Sequence, residues 1–143
     1  MNWLFKEEPA HYGFDALLRD GAARWTGVKN PLAQKHLRSI ARGERILYYH
    51  TGKEKAVVGV ARAVRDAYPD PADRTRRLYV VDIAPQHRLA RPVPLAAIKA
   101  RRTFASFPLV RIPRLSVMPV TDREWAEIET LSNARPPGGR RQS

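Results

Sequence analysis

Cysteine is absent from the 143 residues of the chain. Its absence excludes disulfide frameworks, thiol nucleophiles, iron–sulfur clusters and cysteine-ligated zinc. The four histidines are scattered and form no H-E-x-x-H motif, and the eight glycines form neither a phosphate loop nor a dinucleotide fingerprint. No serine stands in a nucleophile elbow. We therefore expect no metal and no cofactor, and we expect the chain not to be an enzyme.

Long apolar runs are missing as well. No stretch approaches the roughly 18 to 20 apolar residues that cross a bilayer, and the opening MNWLFKEEP lacks a signal-peptide layout. We expect a cytoplasmic protein with no membrane partner. The 43% hydrophobic content can build a core, and the length fits one domain, which we expect to be monomeric.

Acidic residues are few. Lys and Arg number 26 against 14 Asp and Glu, so the formal net charge is +12, and 20 of the basic residues are arginine. Between Asp82 and Asp122 no acidic residue occurs, whereas seven basic residues do: Arg88, Arg91, Lys99, Arg101, Arg102, Arg111 and Arg114. These seven are candidates for contacts with a nucleic-acid backbone. The alternative is a solvated face in an arginine-rich protein, and charge alone does not distinguish DNA from RNA.

The first part of the chain reads as a strand followed by two helices. A short strand is predicted at residues 3–6, and a helix at residues 14–21. Residues 24–29 read as irregular. Asn30 followed by Pro31 predicts a helix start, with an apolar stripe continuing up to Gly43.

The remainder reads as strands, a short helix and a final helix. The predicted elements are a hairpin of strands 45–51 and 56–64, a strand at 78–83, a helix at 95–99, a strand at 115–118 and a helix that opens at Thr121 with a capping box. Small residues on one face of the second hairpin strand indicate a curved sheet or small barrel. The pattern predicts an α+β fold in a single domain of residues 1–132, followed by a disordered basic tail at 133–143.

Three segments carry residues that packing alone does not require: 3–9, 24–30 and 115–120. In WTGVKN, Trp25 precedes a helix, Gly27 permits unusual backbone, and Asn30 stands at a helix N-terminus, a combination that suits a planar ligand. On the simpler interpretation, Trp25 joins the helix to the sheet and Asn30 is only a cap. Likewise, residues 50–51 can be a plain hairpin terminus.

Five short motifs that include these segments occur in a fixed order along the chain. They are W-L-F-K-x-E-P at 3–9, W-x-G-V-K-N at 25–30, Y-H-T at 49–51, A-Y-P-D at 67–70 and R-L-S-V-M-P-V at 114–120. In order and spacing they resemble the EVE domain family over residues 2–131. The resemblance implies a PUA-like fold, a small mixed β-barrel flanked by helices.

The resemblance also implies a function. Family members look like non-catalytic readers that flip a modified base, such as 5-methylcytosine or an oxidised derivative in DNA, into an aromatic and polar pocket. Carried over by position, the pocket would comprise Trp3, Lys6, Glu8, Pro9, Trp25, Gly27, Val28, Asn30, Tyr49, His50, Thr51, Leu115 and Ser116. A reader of modified RNA, a small-ligand sensor and a protein-interaction module remain as alternatives.

The chain departs from the family pattern at three motif positions. The first motif more usually reads K-S-E-P, so Glu7 replaces a small hydroxyl residue. The second more usually reads W-D-G-V-R-N, so Thr26 and Lys29 replace an acid and an arginine. The segment 70–78 also looks shorter than in many relatives. These differences bear on which ligand is preferred.

Overall fold

The computed structural model describes residues 1–134, and these form a mixed sheet with helices on both of its faces. The strands are β1 (Asn2–Glu7), β2 (Ala23–Trp25), β3 (Arg45–His50), β4 (Ala56–Ala63), β5 (Tyr68–Pro69), β6 (Tyr79–Pro94) and β7 (Val117–Val120). The helices are α1 (Pro9–Tyr12), α2 (Phe14–Asp20), α3 (Pro31–Arg38), α4 (Leu95–Lys99), α5 (Pro108–Arg111) and α6 (Asp122–Asn133). Most of the expected C-terminal tail, residues 135–143, lies outside the described residues.

The sheet runs in the order β2-β6-β4-β3-β1-β7, with β5 paired to the start of β6. The pairing of β1 with β3 is parallel and the other pairings are antiparallel. The sheet curls so strongly that Trp25, on edge strand β2, packs against Phe5 of β1, with 5.1 Å between ring centroids. The predicted α+β fold with a small mixed barrel is confirmed in the form of a curled half-barrel flanked by helices.

Small side chains on β4 permit this curvature. Gly59 lies directly under the ring of Phe14, and a Cβ atom added there would stand 2.5 Å from Phe14 Cζ. Irregular pairing at two points between β4 and β6 bends the sheet further, since a bulge increases local twist. Helix α2 can therefore seat Phe14 in the concave face, where it also packs edge-on against Tyr48.

Helix α3 fills the space between the two ends of the curled sheet, where it contacts both β6 and β7. Its start is as predicted: the Asn30 side chain accepts a hydrogen bond from the Ala33 amide at 3.0 Å. The helix ends at Arg38 rather than continuing to Gly43, because a turn closed by Glu44 follows. The Glu44 carboxylate accepts hydrogen bonds from the Ala41 amide and from the indole of Trp3 on β1.

The convex face is covered by the second half of the chain. Helices α4 and α6 contact β6, and α5 contacts β7. Trp125 of α6 is buried there, with the guanidinium of Arg45 stacked 4.2 Å from the centroid of its ring. The sheet is thus buried on both faces, which is why β3 and β4 read as nearly continuous apolar runs.

One strand was missed and two predicted strand boundaries were wrong. Residues 24–29 were expected to be irregular, but the edge strand β2 extends into them as far as Trp25; it is too short to show a period. The strand expected at 78–83 continues to Pro94, because the irregular pairing with β4 accommodates Pro85 without a regular ladder. The last strand is 117–120 rather than 115–118.

Replacing Gly59 with alanine should destabilise the fold, because the new methyl group collides with a ring that packing holds in place. We expect a loss of about 1 to 3 kcal/mol in the free energy of unfolding, measured by urea denaturation. In the background Phe14→Leu, which removes the aromatic ring, the added cost of Gly59→Ala should shrink. Equal costs in both backgrounds would contradict the packing of Phe14 on Gly59.

Candidate functional site

A cavity of about 360 Å³ opens beside edge strand β2. Strand β2 pairs only with β6, so its other side faces the end of β1 and helices α1 and α2 across the mouth of the half-barrel. The lining residues are Glu7, His11, Tyr12, Asp20, Ala22, Ala23, Arg24, Trp25 and Thr26. The volume lies in the range of small-ligand sites, which are typically about 300 to 1,000 Å³.

Trp25 forms the aromatic part of the cavity wall. Its side chain is only 7% exposed. The ring packs against Phe5, at 5.1 Å and tilted by 35°, and against Tyr48, at 5.5 Å and nearly perpendicular. The indole therefore belongs both to the core and to the cavity, and a ligand meets a surface that is already rigid.

The polar part of the wall carries two carboxylates together with His11, Tyr12 and Arg24. Glu7 pairs with His11, and the Tyr12 hydroxyl donates a hydrogen bond to Asp20 at 2.8 Å. Burial, reinforced by this hydrogen bond and by the charge of Asp20, raises the pKa of Tyr12 to about 12, so the phenol keeps its proton at neutral pH. Two carboxylates thus face one cavity in a protein whose net charge is +12.

A basic rim stands next to the cavity. Arg24, which lines the cavity, lies 3.7 Å from Asp82 of β6 and 5.7 Å from the ring centroid of Tyr68. Arg65 stacks on the same ring at 4.0 Å, and the Tyr68 hydroxyl donates to Asp82 at 2.7 Å. We call Arg24, Arg65 and Tyr68 the rim cluster. It combines two guanidinium groups with a partly exposed aromatic ring.

The loop that follows β2 is held from below by Gln34 of α3. The buried Gln34 amide nitrogen donates to the carbonyls of Val28 and Tyr79, and its oxygen accepts from the Tyr79 amide at 2.9 Å. Gly27 takes a positive φ of 78°, which permits the turn between Trp25 and the cap of α3. The motif W-x-G-V-K-N therefore positions Trp25 through its backbone, and Val28 and Asn30 have structural partners.

The structure places two members of the first predicted motif beside the cavity. Glu8 and Pro9 link β1 to α1, and the Glu8 carbonyl accepts hydrogen bonds from the amides of His11 and Tyr12. The Glu8 carboxylate lies against Gly52, outside the cavity lining. These residues shape the turn that brings His11 and Tyr12 to the cavity.

Another predicted pocket residue, Trp3, lies elsewhere. It is buried on β1, bonded to Glu44 at 2.9 Å and packed near His36 of α3. It contributes to the closure of the half-barrel, and no part of it lines the cavity beside β2.

Three predicted residues, Lys6, Tyr49 and Ser116, lie on the opposite face of the sheet from Trp25. The Lys6 amide donates to the Ser116 carbonyl at 3.0 Å, and its ammonium group bonds the Pro113 carbonyl and lies 6.0 Å from the Tyr49 ring. Burial lowers the pKa of Lys6. Leu115 is buried and lies outside the cavity lining. Because side chains alternate along a strand, Lys6 and Tyr49 cannot share a face with Glu7 and His50.

His50 lies on the concave face, but both of its ring nitrogens have partners. Nε2 accepts from the Phe14 amide at 3.0 Å, and Nδ1 lies 2.7 Å from the Glu54 carboxylate. These partners define the tautomer with the proton on Nδ1, donating to Glu54. The adjacent Thr51 amide donates to the Glu7 carbonyl at 2.9 Å. Residues 50–51 thus connect the end of β3 to the start of α2 and to the end of β1.

Sequence reasoning missed most of the cavity lining: Glu7, His11, Tyr12, Asp20, Ala22, Ala23, Arg24 and Thr26. The one signal for them was the departure of Glu7 and Thr26 from the family pattern. Both altered positions line the cavity, whereas Lys29 does not. Helices α1 and α2 are too short for their cavity faces to be identified by periodicity.

The seven basic residues of the acid-free segment do not form an acid-free surface. Arg88 pairs with Asp15 of α2, and Arg101 lies 3.2 Å from Glu127 of α6. Arg91 bonds the Ala134 carbonyl. Within residues 1–134, the others form no ion pair; these are Lys99, Arg102, Arg111 and Arg114. Folding thus brings acids from other segments next to part of the basic stretch.

Across residues 1–134, no three His, Asp or Glu side chains gather as potential metal ligands. In the same part of the chain, no helix is long and apolar enough to cross a membrane.

The curled mixed sheet with flanking helices is a PUA-like fold. The EVE domain profile matches residues 1–131, and the chain belongs to the EVE domain family. A protein of Rhodopseudomonas palustris shares 40% sequence identity, with a TM-score of 0.87 over 92% of each chain. Human thymocyte nuclear protein 1 is 27% identical, over 94% of this chain and 75% of its own length.

A solved structure of that human protein contains DNA with 5-methylcytosine. It has a TM-score of 0.85 with this chain at 25% identity, and the match covers 94% of this chain and 99% of the human chain.

Replacing Gln34 with leucine should loosen the loop behind Trp25, because it leaves buried carbonyl and amide groups of Val28 and Tyr79 without partners. We expect the free energy of unfolding to fall by about 2 to 4 kcal/mol, measured by urea denaturation. Gln86→Leu, the same change at an exposed position of β6, is the control and should have little effect. Similar losses of unfolding free energy in the two variants would contradict a role of Gln34 in holding the loop behind Trp25.

Proposed function

We propose that the chain is a non-catalytic nucleic-acid-binding domain that takes a flipped modified base, 5-methylcytosine or an oxidised derivative in DNA, into the cavity beside β2. The observation that carries this proposal is the cavity itself, with the rigid Trp25 indole beside polar groups at the open edge of the half-barrel. The human relative whose structure contains 5-methylcytosine DNA supports the same ligand class.

The energetics of such a site imply modest selectivity. Extracting a base from the stack costs a few kcal/mol, and stacking on an aromatic ring returns about 1 to 3 kcal/mol. These terms nearly cancel. A methyl group in an apolar niche adds on the order of 1 kcal/mol, whereas a hydroxyl group that meets a buried polar partner adds more specificity.

The phosphates next to the flipped base need a basic surface close to the cavity. The rim cluster meets this requirement, because Arg24 lines the cavity itself and Arg65 stacks beside it on Tyr68. The acid-free segment is the second candidate, through residues with no ion pair within the described chain, such as Arg102 and Arg114. The two surfaces are separable by mutation.

The proposal is tested by fluorescence anisotropy at fixed salt. Single-stranded and duplex DNA and RNA would carry cytosine, 5-methylcytosine, 5-hydroxymethylcytosine or N6-methyladenine at one position. A several-fold preference for a modified cytosine in DNA is expected. A preference for RNA would favour an RNA reader acting through 2′-hydroxyl contacts, and no binding at physiological salt would favour a small-ligand sensor. Mass spectrometry after prolonged incubation should show an unchanged oligonucleotide.

Trp25→Phe should weaken binding to the modified oligonucleotide by several-fold, since a smaller ring offers less stacking area. Phenylalanine is preferred to alanine, which would remove core contacts with Phe5 and Tyr48 and cost about 3 to 5 kcal/mol of stability. Trp3→Phe is the matched control, because Trp3 is equally buried but lies outside the cavity lining. Affinities measured by anisotropy should fall for Trp25→Phe alone. Equal affinity of that variant and the parent would remove Trp25 from the binding site.

The salt dependence of binding should identify the phosphate-contacting surface. If Arg24 and Arg65 each contact a phosphate, neutralising both to glutamine should reduce the slope of log K against log salt by about 1.4 on single-stranded DNA. The comparison is Arg102→Gln with Arg114→Gln, which makes the same charge change at two residues of the acid-free segment that have no ion pair within residues 1–134. A reduced slope only in the second variant would place the footprint on that segment instead.

A further inference from the structure

We infer that Glu7 selects the bound base by accepting a hydrogen bond from an exocyclic amino group, so that the cavity takes cytosine-type bases over thymine-type bases. This inference deepens the proposed function and rests on it. It concerns a residue that stands where the family pattern more usually has a small hydroxyl.

Glu7 is fixed in the cavity by its surroundings. It is the last residue of β1, and its carbonyl accepts a hydrogen bond from the Thr51 amide at 2.9 Å. Its side chain is 18% exposed and lines the same cavity as Trp25. A base stacked against Trp25 would therefore present an edge to the Glu7 carboxylate.

Two carboxylate oxygens of the wall accept no hydrogen bond within residues 1–134, Glu7 Oε1 and Asp20 Oδ1. Asp20 Oδ1 lies 3.6 Å from the Arg19 guanidinium, and Asp20 Oδ2 accepts a hydrogen bond from the Tyr12 hydroxyl. Glu7 Oε2 pairs with His11, so Glu7 Oε1 is the wall carboxylate oxygen with neither a hydrogen bond nor an ion pair in the described residues. An ionised carboxylate can only accept, so Glu7 Oε1 requires an N–H or O–H donor on the ligand.

5-Methylcytosine and thymine differ in this requirement at position 4 of the ring, the group that we assign to Glu7 Oε1; the N3–H of thymine is a donor at the neighbouring position and does not occupy that place. They share the ring and the methyl group, but the first presents an amino group at position 4 and the second an oxygen. The amino group donates to a carboxylate, as in the pairing of Glu with cytosine N4, whereas the oxygen would face it acceptor to acceptor. Glu7 should therefore favour the methylated cytosine over its deamination product.

The experiment compares single-stranded oligonucleotides that carry 5-methylcytosine or thymine at one position, which avoids differences in duplex stability. We expect the parent protein to prefer 5-methylcytosine by about tenfold. Glu7→Gln should reduce this ratio to about threefold or less, because a carboxamide of the same size can either accept from an amino group or donate to an oxygen. Glu7→Ser provides a second variant with a smaller side chain, and it should show the same reduction in the ratio of the two affinities.

Glu8→Gln is the matched control, since it removes the same charge from the adjacent residue, whose carboxylate lies against Gly52 outside the cavity lining. It should retain the parent ratio. Thermal melts would establish that each variant is folded. A parent that binds no modified oligonucleotide would overturn the proposed function itself. A parent that binds but does not discriminate, or variants at Glu7 that keep the parent ratio, would overturn the role of Glu7 alone.

Discussion

The contact of Trp25 with Phe5 and Tyr48 is the interaction on which the rest of the structure depends. It joins the edge strand β2 to strands near the other end of the sheet and so defines how far the half-barrel curls. The same indole forms the aromatic wall of the cavity. Stability and the proposed ligand binding therefore share one side chain, and the cavity surface is held in place by the core behind it.

Charge is divided between the cavity and its surroundings. The cavity wall carries the carboxylates of Glu7 and Asp20, with Arg24 at its edge, and Arg65 stacks on Tyr68 next to Arg24. The two parts of a nucleic acid need different partners. Its phosphates are anionic and pair with basic groups, whereas its base edges carry neutral hydrogen-bond donors and acceptors. An acidic wall within a basic protein is consistent with binding a base edge while the strand is held outside. The excess of arginine alone would not have indicated an acidic site.

Much of the fold was predictable because its signals are local. The cap at Asn30, the capping box at Thr121 and the apolar runs of the hairpin each depend on neighbouring residues. The site was predictable only in part. Motif resemblance grouped Lys6, Tyr49 and Ser116 with Trp25, yet strand alternation and sheet burial put them on opposite faces. Nearness within a motif does not report which face a side chain occupies.

The sequence by itself determined the class of fold and the family, because composition, caps and ordered motifs are properties of the chain. It also singled out Trp25, which lines the cavity. Only the tertiary structure decided that Glu7, His11, Tyr12 and Asp20 meet Trp25 around one cavity. It also decided that Asp15 and Glu127 neutralise part of the basic segment. The physical reason is that curling a sheet brings distant segments together, and such contacts depend on which strands become edges rather than on any local pattern.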